Sequence, residues 1–155
     1  MNKKIEIMAP VGSYEALAAA KNAGANSIYF GVGKLNMRSK STINFTIEDL
    51  KNIVNICNEN NIKSYITLNT IMYEDDLGFA FEIIEEAKKN GVSAIIASDM
   101  SIIDYARSVG MEVHISTQLN VSNPLAVKYY SKFADTIVLS RELNLEQVKN
   151  ICAYI

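Results

Sequence analysis

Short apolar or alternating runs recur along this chain, and each is followed by a stretch whose apolar residues return every three or four positions. The runs at 5–8, 27–30, 63–68, 94–97, 112–116 and 136–139 predict strands, and the stretches at 14–23, 47–60, 76–90, 101–109, 124–133 and 145–154 predict helices. Several helices carry a start signal: Thr46 with Asp49 three residues on, Asn123 before Pro124, and Asn144 before Leu145 and Glu146. Gly24, Gly91 and Gly110 mark helix exits where a left-handed residue satisfies the last carbonyls, with Asn61 and Ala134 at the equivalent places.

Uninterrupted strand–helix alternation requires right-handed crossovers and a parallel sheet, which leaves a barrel or an open doubly wound sheet. Polar residues at alternate strand positions favour the barrel, because a central strand of an open sheet is apolar on both faces. In the fifth strand Val113 and Ile115 oppose His114, Ser116 and Gln118; in the third, Ile66 and Leu68 oppose Tyr65, Thr67 and Asn69. The apolar sets are expected under the helices and the polar sets in a shared interior. The fold class predicted is α/β, an incomplete TIM-like (β/α) barrel of six units where a complete barrel has eight. The first and sixth strands would then be open edges, and self-association through them is expected.

Composition narrows the setting. With 155 residues, 49% hydrophobic and 21% charged, the chain makes one domain over 1–155. Fifteen Lys plus Arg against seventeen Asp plus Glu give a formal charge of -2, so no global field draws in RNA. Cys57 and Cys152 match no metal-ligand spacing and suit a reducing compartment; both fall on apolar helix stripes and read as buried. No metal site is predicted. The apolar run after the basic opening is short and carries Glu6, so it reads as a strand and not a signal peptide. No run approaches the roughly 18 apolar residues of a membrane span, and a soluble cytoplasmic protein with no membrane partner is expected.

In parallel α/β folds the ligand site lies beyond the carboxyl ends of the strands. That rule selects Ser13, Tyr29, Gly31, Arg38, Thr67, Asn69, Asp99, His114 to Asn120, Arg141 and Glu142. His114, the one histidine, reads either as a general acid or base or as a neutral core residue bonded to a backbone carbonyl. Arg141 could clamp a carboxylate or phosphate while Glu142 holds a proton; the alternative is a solvated charge pair at a helix start. Asp99 stands at the matching place after the fourth strand, where Asp is also the ordinary helix cap. The loop at 31–44 has Gly31 and Gly33 but no phosphate-loop ending, and its Lys34, Arg38 and Lys40 suit either a basic flap or a solvated loop. Tyr129, Tyr130 and Tyr154 lack basic interleaving and read as core or surface residues.

Several segments together resemble a known family. Met8-Ala9-Pro10-Val11-Gly12-Ser13 and Ala23-Gly24-Ala25 leading to Ile28-Tyr29-Phe30-Gly31 are similar to the opening of the collagenase-like peptidases of family U32. So are Tyr65-Ile66-Thr67-Leu68-Asn69-Thr70, His114-Ile115-Ser116-Thr117-Gln118-Leu119-Asn120-Val121 and Leu139-Ser140-Arg141-Glu142-Leu143. The resemblance implies a TIM-like barrel and two rival functions: a peptidase, or prephenate-dependent hydroxylation of RNA bases or quinone rings. For a dicarboxylate ligand such as prephenate it implies Arg38 and Arg141 as clamps and His114 or Glu142 as the proton handler. With the residues chosen by strand-end position, the expected substrate-binding set is Ser13, Tyr29, Arg38, Asn69, Gln118, Asn120 and Arg141, and the catalytic set His114, Glu142 and Asp99. A small anion or a peptide is the expected ligand, and RNA a weaker one. Some members hold an iron–sulfur cluster through cysteines that neither Cys57 nor Cys152 matches. The family's Cys-containing signature follows the sixth helix, and this sequence stops at Tyr154-Ile155 before it, so an amino-terminal barrel portion with no cofactor of its own is expected. A noncatalytic portion that binds an anion or docks to a partner accounts for the same residues.

Overall fold

Alternation sets the plan, and the computed structural model, which describes residues 5–37 and 45–154, follows it. Six parallel strands, β1 (Met8–Pro10), β2 (Ser27–Gly31), β3 (Lys63–Leu68), β4 (Ala94–Ala97), β5 (Glu112–Ile115) and β6 (Thr136–Ile137), pair strictly in chain order. An open doubly wound sheet reverses its strand order at a switch point. This sheet never does, and it curls as a partial barrel. The helices between and after the strands are α1 (Tyr14–Asn22), α2 (Leu50–Glu59), α3 (Glu74–Asn90), α4 (Met100–Ser108), α5 (Pro124–Tyr130) and α6 (Leu145–Tyr154).

The two faces of the sheet separate by parity. Ile28, Phe30, Ile66, Leu68, Ile95, Val113 and Ile115 join Leu17, Ile53, Ile83, Ile84, Ile102 and Ile103 in one outer core under the helices, every one of them nearly or fully buried. Each such side chain contributes about 1.5–3 kcal/mol, which makes this layer the main source of stability. On the inner face Tyr65, Ala94 and Ile96 form a second, smaller cluster with Tyr29 against it.

Local chemistry moves several element boundaries. The first strand begins three residues later than its apolar run: Ile5 and Ile7 are exposed, and Asn26 Oδ1 takes the Ile7 N–H at 2.9 Å in place of a ladder bond. The second helix begins at Leu50, because Asp49 folds back to accept from Thr46 N at 2.8 Å and makes 47–49 a turn. The third begins early, at Glu74, because Asp76 reaches back to the Tyr73 N–H at 3.0 Å, the acidic half of a capping box without the usual Ser or Thr at the cap. Gly24, Gly91, Gly110 and Asn61 all take positive φ at helix exits, whereas Ala134 does not. Cys57 is buried as expected, but Cys152 is exposed: α6 lies at the end of the helix layer and buries only Ile151.

β1's free side has a particular character. Val11 N–H donates to Tyr29 O at 2.9 Å, and Ile7 O accepts from Ser27 N–H. Main-chain direction alternates, so Met8 and Pro10 turn their polar groups outward, and Pro10 has no N–H to offer. No described helix is long and apolar enough to cross a membrane.

Candidate functional site

At the carboxyl ends of the strands, inside the curl, lies a cavity of about 370 Å³. Tyr29, Thr67, Asn69, Ser116, Thr117, Gln118 and Arg141 give it polar groups, and Met8, Met37, Ile96 and Val138 its apolar wall. Seven of the residues selected by strand-end position therefore meet here, among them Tyr29, Asn69, Gln118 and Arg141 from the expected substrate-binding set.

Strand ends and loop turns hold these groups. Thr67 Oγ1 donates to Phe30 O at 3.0 Å, which commits its proton and leaves the oxygen as an acceptor. Asn69, just past β3, accepts from Met37 N at 3.3 Å and donates through Nδ2 to Ser116 Oγ at 3.2 Å. Ser116 follows β5, its backbone held by Ala97 O at 2.8 Å, and its Oγ also takes the Gln118 N–H at 3.3 Å. The loop after β2 is pinned at both ends by the Gly33 N–H on Phe45 O at 2.9 Å, and buried Asn36 donates to Gly33 O. Gly31 has no side chain for a reason: a Cβ there would collide with the Asn36 amide. This pinning sets Met37 at the cavity wall. Arg141 is exposed and forms no ion pair among the described residues.

The other predicted residues lie elsewhere. Ser13 caps α1, accepting from Ala16 N at 3.2 Å, and Asp99 caps α4, accepting from Ser101 N at 2.8 Å. Asn120 closes the short turn over Thr117–Leu119 with a φ of 50°. Glu142 is exposed and takes the Ser140 hydroxyl, which holds its carboxyl below the usual range, with a smaller pull from Arg141. Arg38 and Lys40 fall outside the described residues.

His114 is on the inner face, as parity predicts, but toward the amino ends of the strands and not in the cavity wall. Its ring sits 4.7 Å from that of Tyr65, and Nε2 is 2.9 Å from Glu112 Oε1. A carboxylate only accepts, so the shared proton belongs to Nε2. The Tyr65 hydroxyl donates to Glu6 Oε1 at 2.6 Å, and Lys63 Nζ to Glu6 Oε2 at 3.0 Å. Burial alone would raise the Glu6 carboxyl, but the bonds from Tyr65 and Lys63, with the Lys63 charge, outweigh it and hold it at about 2. Burial, and then the bond to Glu6, pushes the Tyr65 hydroxyl well up.

Sequence reasoning missed Glu6, Glu112, Met8, Met37 and Val138. Glu112 was accessible in principle, being two residues before His114 on the same strand face. Glu6, Met8 and Met37 depend on which strands curl together.

Chemically, the cavity offers a guanidinium, the hydroxyls of Tyr29, Thr67, Ser116 and Thr117, two amide side chains and an apolar wall. It has no carboxylate, imidazole or thiol among its described lining residues. It is equipped to hold an anion with an apolar body. No group of three His, Cys, Asp or Glu among the described residues could hold a metal ion. Cys57 is buried, its thiol raised to about 11 by burial, and Cys152 is exposed on a different helix. Two such thiols fall short of the four that an iron–sulfur cluster takes, so the described residues do not fit one.

Known proteins share this sequence and shape. A family model described as peptidase family U32 matches residues 12–155. A collagenase of Porphyromonas gingivalis is 55% identical over 146 residues, 94% of this chain and 35% of that protein. An uncharacterized protease of Methanocaldococcus jannaschii is 41% identical over 147 residues, 95% of this chain and 36% of its own. The tRNA hydroxylation protein P1 of Bacillus subtilis is 30% identical over 154 residues, 97% of this chain and 36% of that one. The chain thus spans about a third of the length of these curated relatives. Among solved structures, a U32 peptidase matches all of this chain and 67% of its own with a TM-score of 0.81 at 13% identity, a likeness of fold.

Proposed function

The chain belongs to peptidase family U32, and from that membership and the cavity's geometry we propose that it is the substrate-binding barrel portion of a collagenase-like peptidase. The observation that carries the reading is Arg141, an exposed guanidinium with no ion-pair partner among the described residues, at the rim of a cavity lined with hydrogen-bond donors. A peptide carboxylate would pair with it while apolar parts of the substrate rest on Met8, Met37 and Val138. Glu142 does not line the cavity, but it follows Arg141 in sequence and is held ionised by Ser140, and it would take the proton of a water attacking a substrate held at this rim. The test is cleavage of gelatin and short peptides by the purified chain. Cleavage that Glu142→Gln abolishes supports the reading, and cleavage that survives it removes Glu142 from the chemistry.

A second reading rests on the same cavity and on the relatives named for tRNA hydroxylation. Guanidinium, amides and hydroxyl without a hydrolytic group suit a small dicarboxylate, and prephenate is the one the family resemblance suggests. Calorimetric titration with prephenate, against succinate as a plain control at low salt, separates the two. Selective saturable binding lost in Arg141→Ala favours hydroxylation-type chemistry; no preference for prephenate, together with cleavage, favours the peptidase. A bound RNA would need basic surface that a formal charge of -2 does not obviously supply.

We place the protein in the cytoplasm, where two free cysteines and the lack of a membrane-spanning helix among the described residues are at home. Self-association would use the β6 edge, since Pro10 blunts β1. Light scattering that gives a monomer at all concentrations rejects it.

A further inference from the structure

Asn69 is an amide whose orientation the backbone dictates. The Met37 N–H can only donate, and it lies 3.3 Å from Asn69 Oδ1. That assigns the oxygen to the loop after β2 and turns Nδ2 toward Ser116 Oγ, 3.2 Å away. Ser116 Oγ also accepts from the Gln118 N–H at 3.3 Å. A hydroxyl has two lone pairs and one proton. Both lone pairs are taken, and no acceptor for the proton lies among the described residues. Ser116 is 2% exposed yet lines the cavity, so its proton has one open direction.

We propose that Ser116 is a ligand-contacting donor directed into the cavity beside Arg141, and that Asn69 is the positioning residue that imposes this polarity. The proposal rests on the reading of the cavity as an anion site and names two residues that read the anion there. A chain of donors runs from the Met37 backbone through the Asn69 amide and the Ser116 hydroxyl to the ligand. Each link orients the next, so the hydroxyl faces the ligand as a fixed donor with no reorientation on binding. The same amide holds Met37 at the apolar wall, which couples the placement of that wall to the polarity of the anion-binding hydroxyl. Ligands that present a hydrogen-bond donor at this point meet a hydroxyl with no acceptor to give, and are rejected.

The experiment is an NMR titration of the whole chain with succinate, for wild type, Ser116→Ala, Asn69→Ala, the double variant and Arg141→Ala, with urea melts to verify folding. Loss of one hydrogen bond to a charged group predicts roughly tenfold weaker binding for Ser116→Ala. Asn69→Ala is expected to weaken binding by about threefold to fivefold, since the hydroxyl remains but turns freely. The diagnostic result is coupling: in the Ser116→Ala background, Asn69→Ala costs less than about twofold more, because the residue it positions is gone. A purely structural Asn69 would exact the same loss in both backgrounds, which overturns its positioning role. If Arg141→Ala weakens binding while Ser116→Ala stays within about twofold of wild type, the anion site stands and the proposal alone is overturned. If wild type does not bind, or Arg141→Ala binds as wild type does, the anion-site reading falls and takes the proposal with it.

Discussion

The inner face of the sheet carries polar side chains at two levels, and the two are wired differently. Near the amino ends of the strands, Glu6, Lys63, Tyr65, Glu112 and His114 satisfy one another: each carboxylate has a donor, and the histidine ring lies against the tyrosine. Near the carboxyl ends, Arg141 has no ion-pair partner among the described residues and Ser116 keeps a proton to give. A closed network holds a fold together, whereas groups with bonding capacity to spare wait for something else. Strand parity is identical at both levels, so distance along the strand separates structure from recognition.

Substitutions can break or sharpen this contrast. The largest effect is expected from His114→Ala, which deletes a buried ring from the lower network and should lower stability by about 3 kcal/mol in urea melts. Anion binding by the folded variant should be unchanged; a specific loss of binding or cleavage would mean that the lower level also does chemistry. Arg141→Ala should do the reverse, weakening anion binding roughly tenfold to a hundredfold by titration with little change in the melt. Tyr65→Phe removes one buried hydroxyl and should cost about 1 kcal/mol in stability, with no effect on the cavity. The smallest effect concerns acid. The Glu6 carboxyl sits at about 2 in the folded chain against an ordinary 4.5, so its contribution is complete above about 4.5 and lost as pH falls toward 2. Glu6→Gln should flatten the acid limb of a stability-against-pH curve, and an unchanged limb would show that Glu6 is not tied to this network.

Much of the architecture was legible because periodicity reports it directly. The third and fourth strands fall at 63–68 and 94–97 as their apolar runs predict, both being interior strands with two neighbours. The edges were less legible. Ile5 and Ile7 are as β-prone as any strand residues, yet the ladder starts at Met8 because an edge strand has one partner to set its limits. The sixth strand likewise shortens to Thr136–Ile137. For the site, position at strand ends was enough to choose Tyr29, Asn69, Gln118 and Arg141. It could not tell that Ser13 and Asp99 are occupied as helix caps, since Ser and Asp at a helix start look alike in sequence whether they cap or catalyse. Nor could it give the depth of His114, because parity fixes the face of a residue but not its level.

The strand order has a consequence for how the chain acquires its shape. Every strand pairs only with its neighbours in sequence. Each inter-strand contact therefore closes a loop no longer than one helix and its connections, and none requires distant ends to meet. Loop-closure entropy grows with the length enclosed, and folding slows as contacts become less local. A sheet wound this way can form by local accretion, each unit docking on the one before it, so the middle strands can be stably paired before either edge is complete.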